Sequence, residues 1–266
     1  DMKALCADGP VERLSQTEFT QPALFTVEAA LTAALNARGI NPAMTAGHSL
    51  GEFGAWFAAG VFSFADGLKL VAERGRLMAH ADPDGIGTMA AIIGLDYDTV
   101  SESCKAAGGT VVVANINQPA QMVISGVKDD VAKAGELLKE KGAKRVVPLK
   151  VSGAFHSPLM QGAKEAFAGA VHSVNINNAV IPVYANVSAG PVTDAGEIRK
   201  LMVEQLTSPV RWIESVASMR TAGVERAYEV GPGKVIAGLV KRIDRDFEVV
   251  SVSDDISIQE VADGKS

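Results

Sequence analysis

The sequence predicts an α/β protein, a larger α/β body with a smaller subdomain inserted into it. Three observations lead there. Gly47-His48-Ser49-Leu50-Gly51 lies between a short uncharged stretch and a stretch of helical period, the strand–turn–helix setting of a nucleophile elbow. Residues 85–152 read as β-α-β-β-α-β, the split-βαβ or ferredoxin-like order. Beyond residue 153 helical and strand patterns alternate again, as in a layered α/β fold. The body is therefore assigned residues 1–84 and 153–266, and the subdomain 85–152, with joints at Pro83-Asp84-Gly85 and Ser152-Gly153.

Each element has its own signal. Residues 1–19 read as polar and irregular. A helix is expected from Thr20-Gln21-Pro22, with Thr20 as N-cap and Pro22 in the first turn. Leu24, Val27, Leu31, Ala34 and Leu35 give it one apolar face, and Gly39 ends it. Residues 42–46 are short and uncharged, as a buried parallel strand would be. Leu50, Phe53, Gly54, Phe57 and Ala58 recur at helical spacing up to Gly60. Ser63-Phe64-Ala65-Asp66 is a capping-box relative with Asp in place of Glu or Gln. It opens a helix carrying Leu68, Val71, Leu77 and Met78. Within the subdomain, strands are expected at 89–93, 111–115, 122–125 and 145–149, and helices at 97–107 and 129–141. The body resumes with a helix from His156-Ser157-Pro158 to about 171. A strand at 182–187, helices at 194–206 and 210–221, a strand at 225–230, a helix at 234–243 and a last strand at 247–253 follow.

Bulk properties narrow the function. The chain has 266 residues, enough for a sizeable core, with 47% hydrophobic and 21% charged residues, ordinary for a soluble globular protein. A net charge of −6 argues against nonspecific nucleic-acid binding. The two cysteines, Cys6 and Cys104, make neither a disulfide framework nor a metal-ligand spacing, so a reducing cytoplasm is expected and a metal is not. No apolar run is long enough to span a membrane and no signal peptide is visible.

Ser49 is the candidate nucleophile, held on a crowded turn whose flanks, Gly47 and Gly51, lack a Cβ to clash. The other reading is a tight turn with an inert serine. A nucleophilic serine needs a base. Of His48, His80, His156 and His172, His156 is the best placed, just beyond a predicted strand where loops bring side chains to a sheet edge. A helix-start histidine bonded to backbone is its alternative. His48 adjoins the nucleophile and suits the pocket wall better than the base, while His80 and His172 lie in polar helical stretches. No acid announces itself as a third member: Asp82, Asp84, Asp129 and Asp130 fall in loops or helix starts. A backbone carbonyl could orient the histidine instead. Arg74, on a helix with an apolar face, could fork onto a carboxylate. It could equally pair with Glu73 or face solvent.

Taken together, these residues resemble the malonyl-CoA:acyl-carrier-protein transacylases and the acyltransferase domains of fatty-acid and polyketide synthases. The stretches that carry the resemblance are Thr20-Gln21-Pro22-Ala23-Leu24, Gly47-His48-Ser49-Leu50-Gly51-Glu52, Arg74-Gly75, Asn115-x-Asn117-x-Pro119, Gly153-Ala154-Phe155-His156-Ser157, Ser208-Pro209-Val210-x-Trp212 and Glu229-Val230-Gly231-Pro232-Gly233-Lys234. They stand in family order and span nearly the whole chain.

The resemblance implies an α/β-hydrolase-like parallel-sheet body with a ferredoxin-like flap and the active site between them. It implies that Ser49 attacks the malonyl thioester of coenzyme A, with His156 as general base and then acid, and that the carbonyl of Gln205 orients His156. Arg74 would bind the malonyl carboxylate, Asn117 and His48 would line the site, and the Leu50 N–H would be half of the oxyanion hole. The other half, in the family, comes from a Gly-Gln-Gly-Ser-Gln loop after a first strand, a segment with no counterpart from Asp1 onward. Phe155 stands where the family has Phe for malonyl and Ser for methylmalonyl. Coenzyme A thioester is substrate, with no resident cofactor, the acceptor is an acyl carrier protein, and the family is usually monomeric. Lys139, Lys141, Lys144, Arg145 and Lys150 form a basic cluster, with Lys144 and Arg145 the expected docking residues for carrier or coenzyme A phosphate; a solvated helix end is the alternative. A serine thioesterase or esterase, and a carrier-binding module without catalysis, are the competing functions.

Overall fold

The computed structural model describes residues 2–264. The first residues are not irregular: α1 (Met2–Asp8) and α2 (Val11–Leu14) precede the long α3 (Thr17–Ala37). Among the described side chains of these two short helices only Leu5 is buried, so they carry no amphipathic signal. Helix α3 starts at Thr17, ahead of the expected cap at Thr20, and Pro22 lies inside it. The Thr20 hydroxyl donates to the Leu14 carbonyl instead, at 2.5 Å. This first turn packs closely on Gly75, where a Cβ would meet the Thr17 carbonyl oxygen at 3.0 Å and Glu18 Cα at 3.2 Å, tighter than ordinary contact.

Strand β1 is only Thr45–Ala46, shorter than the buried strand expected over 42–46. Pro42 and Ala43 are exposed, and Pro42 has no N–H to give a ladder. Helices α4 (Gly51–Ala58) and α5 (Phe64–Ala79) follow. The Ser63 hydroxyl caps α5 by accepting the Asp66 N–H at 3.1 Å. Asp66 answers through its carboxylate, which accepts from the Ser63 hydroxyl at 2.9 Å rather than from backbone.

The middle of the chain gives β2 (Gly87–Ile93), α6 (Tyr97–Ala107), β3 (Val111–Gln118), β4 (Gln121–Val127), α7 (Lys128–Glu140) and β5 (Arg145–Pro148). The four strands pair antiparallel in the order β3-β4-β2-β5, so β4 separates β2 from β3. One face, with Ile92, Ile116, Met122 and Ile124, is covered by Val100 and Cys104 of α6 and Val131 and Leu138 of α7. The other face, with Met89, Ala91, Ala114 and Val123, packs against Phe155. Period-2 alternation puts each set on its own side in β2 and β4, and in β3 the register break between Val113 and Asn115 shifts the pattern, so Ala114 and Ile116 fall on opposite faces.

Helix α8 (Gln161–Ser173) comes next, preceded by one 3₁₀ turn, Pro158–Met160. Strands β6 (Val183–Tyr184) and β7 (Pro191–Val192), helices α9 (Ala195–Glu204) and α10 (Trp212–Thr221), β8 (Arg226–Val230), α11 (Val235–Ile243), β9 (Glu248–Val252) and α12 (Asp255–Ala262) complete the chain. The strand expected over 182–187 is cut to two residues because the chain turns back at once, the Ala185 N–H donating to the Gly190 carbonyl at 3.1 Å. Strand β7 and helix α12 carried no expectation. The body strands form two small sheets rather than one, β1-β6-β7 and β8-β9, with β1–β6 and β8–β9 parallel. The main core lies under α4, α5 and α8, where Phe25, Phe53, Trp56, Leu70, Phe167 and Met202 meet.

One clip joins the four-stranded sheet to the body. The edge strand β3 makes a parallel bridge from Asn115 to Val210. The Val210 N–H donates to the Ala114 carbonyl and the Ile116 N–H to the Val210 carbonyl, both at 2.9 Å.

Candidate active site

Ser49 sits between β1 and α4 with φ +52, a left-handed conformation rare for a residue with a Cβ. Gly47 makes the turn possible: a Cβ there would lie 2.0 Å from the Gly51 carbonyl. The expected need for glycine at Gly51 does not hold, because a Cβ at that position would meet nothing within 4 Å.

The turn brings Ser49 to His156 across 107 residues of chain. Ser49 Oγ lies 2.8 Å from His156 Nε2. His156 is itself at φ +55 and only 3% exposed. Its Nδ1 lies 2.9 Å from the Gln205 carbonyl oxygen and 3.2 Å from that of Ser208. Two carbonyls can only accept, so Nδ1 carries the hydrogen and Nε2 keeps a lone pair for the serine proton. Burial first, and the Arg74 charge second, push the imidazole down to about 3, so it rests neutral.

Among the described residues no carboxylate takes the third place. Asp82 accepts the Ile86 and Gly87 N–H groups at 2.9 and 2.6 Å, and Asp130 accepts the Thr110 N–H at 2.7 Å. His80 and His172 are bound to helix carbonyls of Arg76 and Ala168, apart from this site.

Arg74 is 1% exposed and ends at Ser49. One terminal nitrogen donates to Ser49 Oγ at 3.1 Å and to Gln205 Oε1 at 2.9 Å; the other donates to Gln21 Oε1 at 2.7 Å. Glu73 pairs with Arg76 instead, at 2.6 Å. The guanidinium is thus held by neutral amide oxygens. Burial lowers it to about 10, opposed by the charge of Glu52, and it stays a cation at neutral pH. Glu52 lies buried beneath, its carboxyl pushed up to about 7 by burial against the pull of the Asn186 N–H.

His48 Nε2 lies 2.7 Å from Asn117 Oδ1, and its ring meets Trp212 edge-on at 5.7 Å. Burial lowers its pKa. Asn117 sits at a break in the β3–β4 register between Ile116 and Gln118, where a bulge re-aims a side chain. The Leu50 N–H makes no hydrogen bond among the described residues. Phe155 is half-buried between the main core and the open face of the four-stranded sheet.

Lys144 and Arg145 are exposed at β5, the edge opposite β3. Three strand spacings, about 14 Å, separate that edge from the strand of Asn117. Lys139 pairs with Glu136 and Lys141 with Glu102. Lys144, Arg145 and Lys150 form no ion pair among the described residues.

Sequence reasoning missed Asn186, Gln21 and Glu52 as parts of this site. Gln21 and Glu52 stood inside the matched stretches but carried no pattern of their own. Asn186 lay in the strand expected over 182–187, where nothing marks a polar anchor.

A family model described as the acyl transferase domain matches residues 2–253. The chain is 43% identical over 261 residues to the malonyl CoA-acyl carrier protein transacylase of Bacillus subtilis, covering 97% of this chain and 82% of that one. It is 46% identical over 243 residues to the Staphylococcus aureus transacylase of the same name, covering 90% and 78%. Its fold superposes on an acyl carrier protein S-malonyltransferase from Vibrio cholerae with TM-score 0.96, at 45% identity over 98% of this chain and 86% of that one. A malonyl-transacylase solved with a type II acyl-carrier protein is similarly close: TM-score 0.96, 39% identity, 99% and 86% coverage.

Proposed function

The chain belongs to the acyl transferase family, and on that premise we propose that it moves malonyl from coenzyme A to the phosphopantetheine thiol of an acyl carrier protein, through an acyl-enzyme on Ser49. It is an S-malonyltransferase of fatty-acid synthesis. The observation that carries the reading is the convergence on one oxygen: Ser49 Oγ meets the His156 lone pair at 2.8 Å and the Arg74 guanidinium at 3.1 Å.

The steps follow from those contacts. His156 Nε2 takes the Ser49 proton as Oγ attacks the thioester carbonyl. The carbonyls of Gln205 and Ser208 hold the Nδ1–H and favour the imidazolium that forms. The free Leu50 N–H supports the developing oxyanion. His156 then protonates the departing coenzyme A thiol. The second half runs in reverse with the carrier thiol, since donor and acceptor are both pantetheine thiols. Arg74 meets the malonyl carboxylate, and with no carboxylate already bound to it the cation favours a charged acyl chain over a neutral one. This also disfavours a plain thioesterase or esterase. Phe155 crowds an extra methyl and favours malonyl over methylmalonyl.

The same reading takes the body as α/β-hydrolase-like and the four-stranded sheet as a ferredoxin-like flap, supported by its antiparallel β3-β4-β2-β5 order. It takes coenzyme A thioester as substrate with no resident cofactor, Lys144 and Arg145 as docking residues, and a cytoplasmic monomer.

Mass spectrometry of the intact chain after brief exposure to malonyl-CoA tests it. The expected product is one malonyl ester on Ser49, released by carrier thiol faster than by water. No adduct, or faster release to water, would overturn the reading. Methylmalonyl-CoA in the same assay should acylate more slowly; equal rates would remove Phe155 from the account.

A further inference from the structure

We propose that Asn186 is the positioning residue that fixes the Ser49 elbow and ties it to the carbonyl that holds His156; this rests on the acyl-transfer reading above. Asn186 follows β6 and is fully buried. Its side chain grips the elbow at two points. Oδ1 accepts the Ser49 N–H at 2.7 Å, and Nδ2 donates to the Gly47 carbonyl at 2.6 Å. One amide thus supplies both the acceptor and the donor that alternate residues of the turn need, as a neighbouring strand would. The backbone is gripped as well. The Asn186 N–H donates to Glu52 Oε2 at 2.5 Å, and its carbonyl accepts the Arg211 N–H at 3.1 Å.

Gln205 completes the tie. Its Nε2 donates to the Ser49 carbonyl at 3.0 Å and to Asn186 Oδ1 at 3.4 Å. The carbonyl of the same residue takes the His156 Nδ1–H. Nucleophile and base therefore share one buried polar frame, with Asn186 at its centre. Arg211 follows Val210, the residue bridged to β3, so the frame also reaches the segment that holds the four-stranded sheet. An ionised carboxylate cannot replace the amide: its second oxygen would oppose the Gly47 carbonyl with no hydrogen between them. The Gly47 carbonyl would then be repelled, the turn that carries the left-handed Ser49 backbone would shift, and Oγ would leave its 2.8 Å approach to Nε2.

The test uses the full chain with N186D and N186A. Thermal unfolding reports folding, diisopropyl fluorophosphate reports the reactivity of Ser49, and malonyl transfer from coenzyme A gives kcat and KM. Both variants should fold. The fluorophosphate rate and kcat should each fall about 10²-fold, the cost of a nucleophile displaced by about an ångström. KM for malonyl-CoA should stay within about threefold of its parent value, because Arg74 still binds the acyl carboxylate. N186D, despite its matching volume, should do no better than N186A. Near-parental rates in N186D, a KM rise at unchanged kcat, or loss of folding in both variants would each overturn the assignment. Should the parent react with the fluorophosphate yet transfer no malonyl, the acyl-transfer reading fails, while Asn186 stands or falls on the fluorophosphate rate alone.

Discussion

The elbow with its histidine and the four-stranded sheet meet at His48 and Asn117 but are built in opposite ways. In the body, Ser49 and His156 both hold a left-handed backbone at φ +52 and +55. They are kept there by a buried polar frame of Gln205, Asn186, Gln21 and Arg74. In the sheet, local alternation and apolar packing suffice, and one side chain, Asn117, reaches across to His48. The reacting groups therefore sit where backbone is strained and a network of buried side chains holds it. The sheet supplies a wall. If that division is right, substitutions in the frame should cost orders of magnitude, and those in the sheet should cost little and change selectivity or docking instead.

The largest effect should come from His156→Ala. Transfer should fall on the order of 10⁴–10⁶-fold, with the double variant S49A/H156A no worse than either single one, because the two act as a unit. Additive losses in kcat would break the picture of one proton-transfer pair.

Arg74→Ala comes next. Losing a buried cation aimed at a carboxylate should lower malonyl kcat/KM about 10²–10³-fold while sparing acetyl-CoA. The pH profile sharpens the point. Burial and the Arg74 charge hold His156 down to about 3, so the free enzyme's base is already deprotonated near neutrality. The acid limb of kcat/KM should therefore fall well below pH 6. Removing Arg74 removes the second of those causes, and the limb should move up in pH. An acid limb near pH 7 in the parent, or one that stays still in R74A, would show that the charge does not reach the imidazole.

How far the sequence went follows the same division. Every boundary in the sheet region lies within three residues of expectation, helix Tyr97–Ala107 on both ends. Period-2 and 3.6 patterns act over short spans, and each strand has one face under α6 and α7 and one toward Phe155. In the body, Arg226–Val230 and Glu248–Val252 lie within one residue of expectation, but two other strands were less legible. Residues 42–46 reduce to Thr45–Ala46, and 182–187 to Val183–Tyr184, because pairing partners far along the chain decide where a ladder starts and stops. Ser49 and His156 were legible from pattern and position, while Arg74 stood open between a carboxylate, Glu73 and solvent until the family resemblance gave it a role. The Gln205 carbonyl came from the family resemblance, since no pattern of residues marks a backbone acceptor. Asn186 was not legible at all: its partners Gly47 and Ser49 lie 139 and 137 residues away, and a loop asparagine has no signature.

On the sheet side, Asn117→Ala should cost about tenfold in kcat/KM, the worth of one hydrogen bond lost at a partly buried histidine. The Ser49 fluorophosphate rate should be unchanged. A loss as deep as that of R74A would place Asn117 inside the frame, and the contrast between the two regions would blur.

The smallest effect should come from the far edge. Lys144 and Arg145 are exposed on β5, about 14 Å across the sheet from the strand of Asn117. At that distance they cannot touch the acyl group, and a salt-screened surface charge acts mainly on encounter. The double variant K144E/R145E should therefore raise KM for carrier protein about three- to tenfold. The effect should fade with added salt, and KM for malonyl-CoA with a small thiol acceptor should not change. The two substrates separate the sources of the effect. A rise in KM for malonyl-CoA alone would move these residues to the coenzyme A phosphate. An unchanged KM for both would leave the β5 edge a solvated face, with the carrier meeting some other part of the chain.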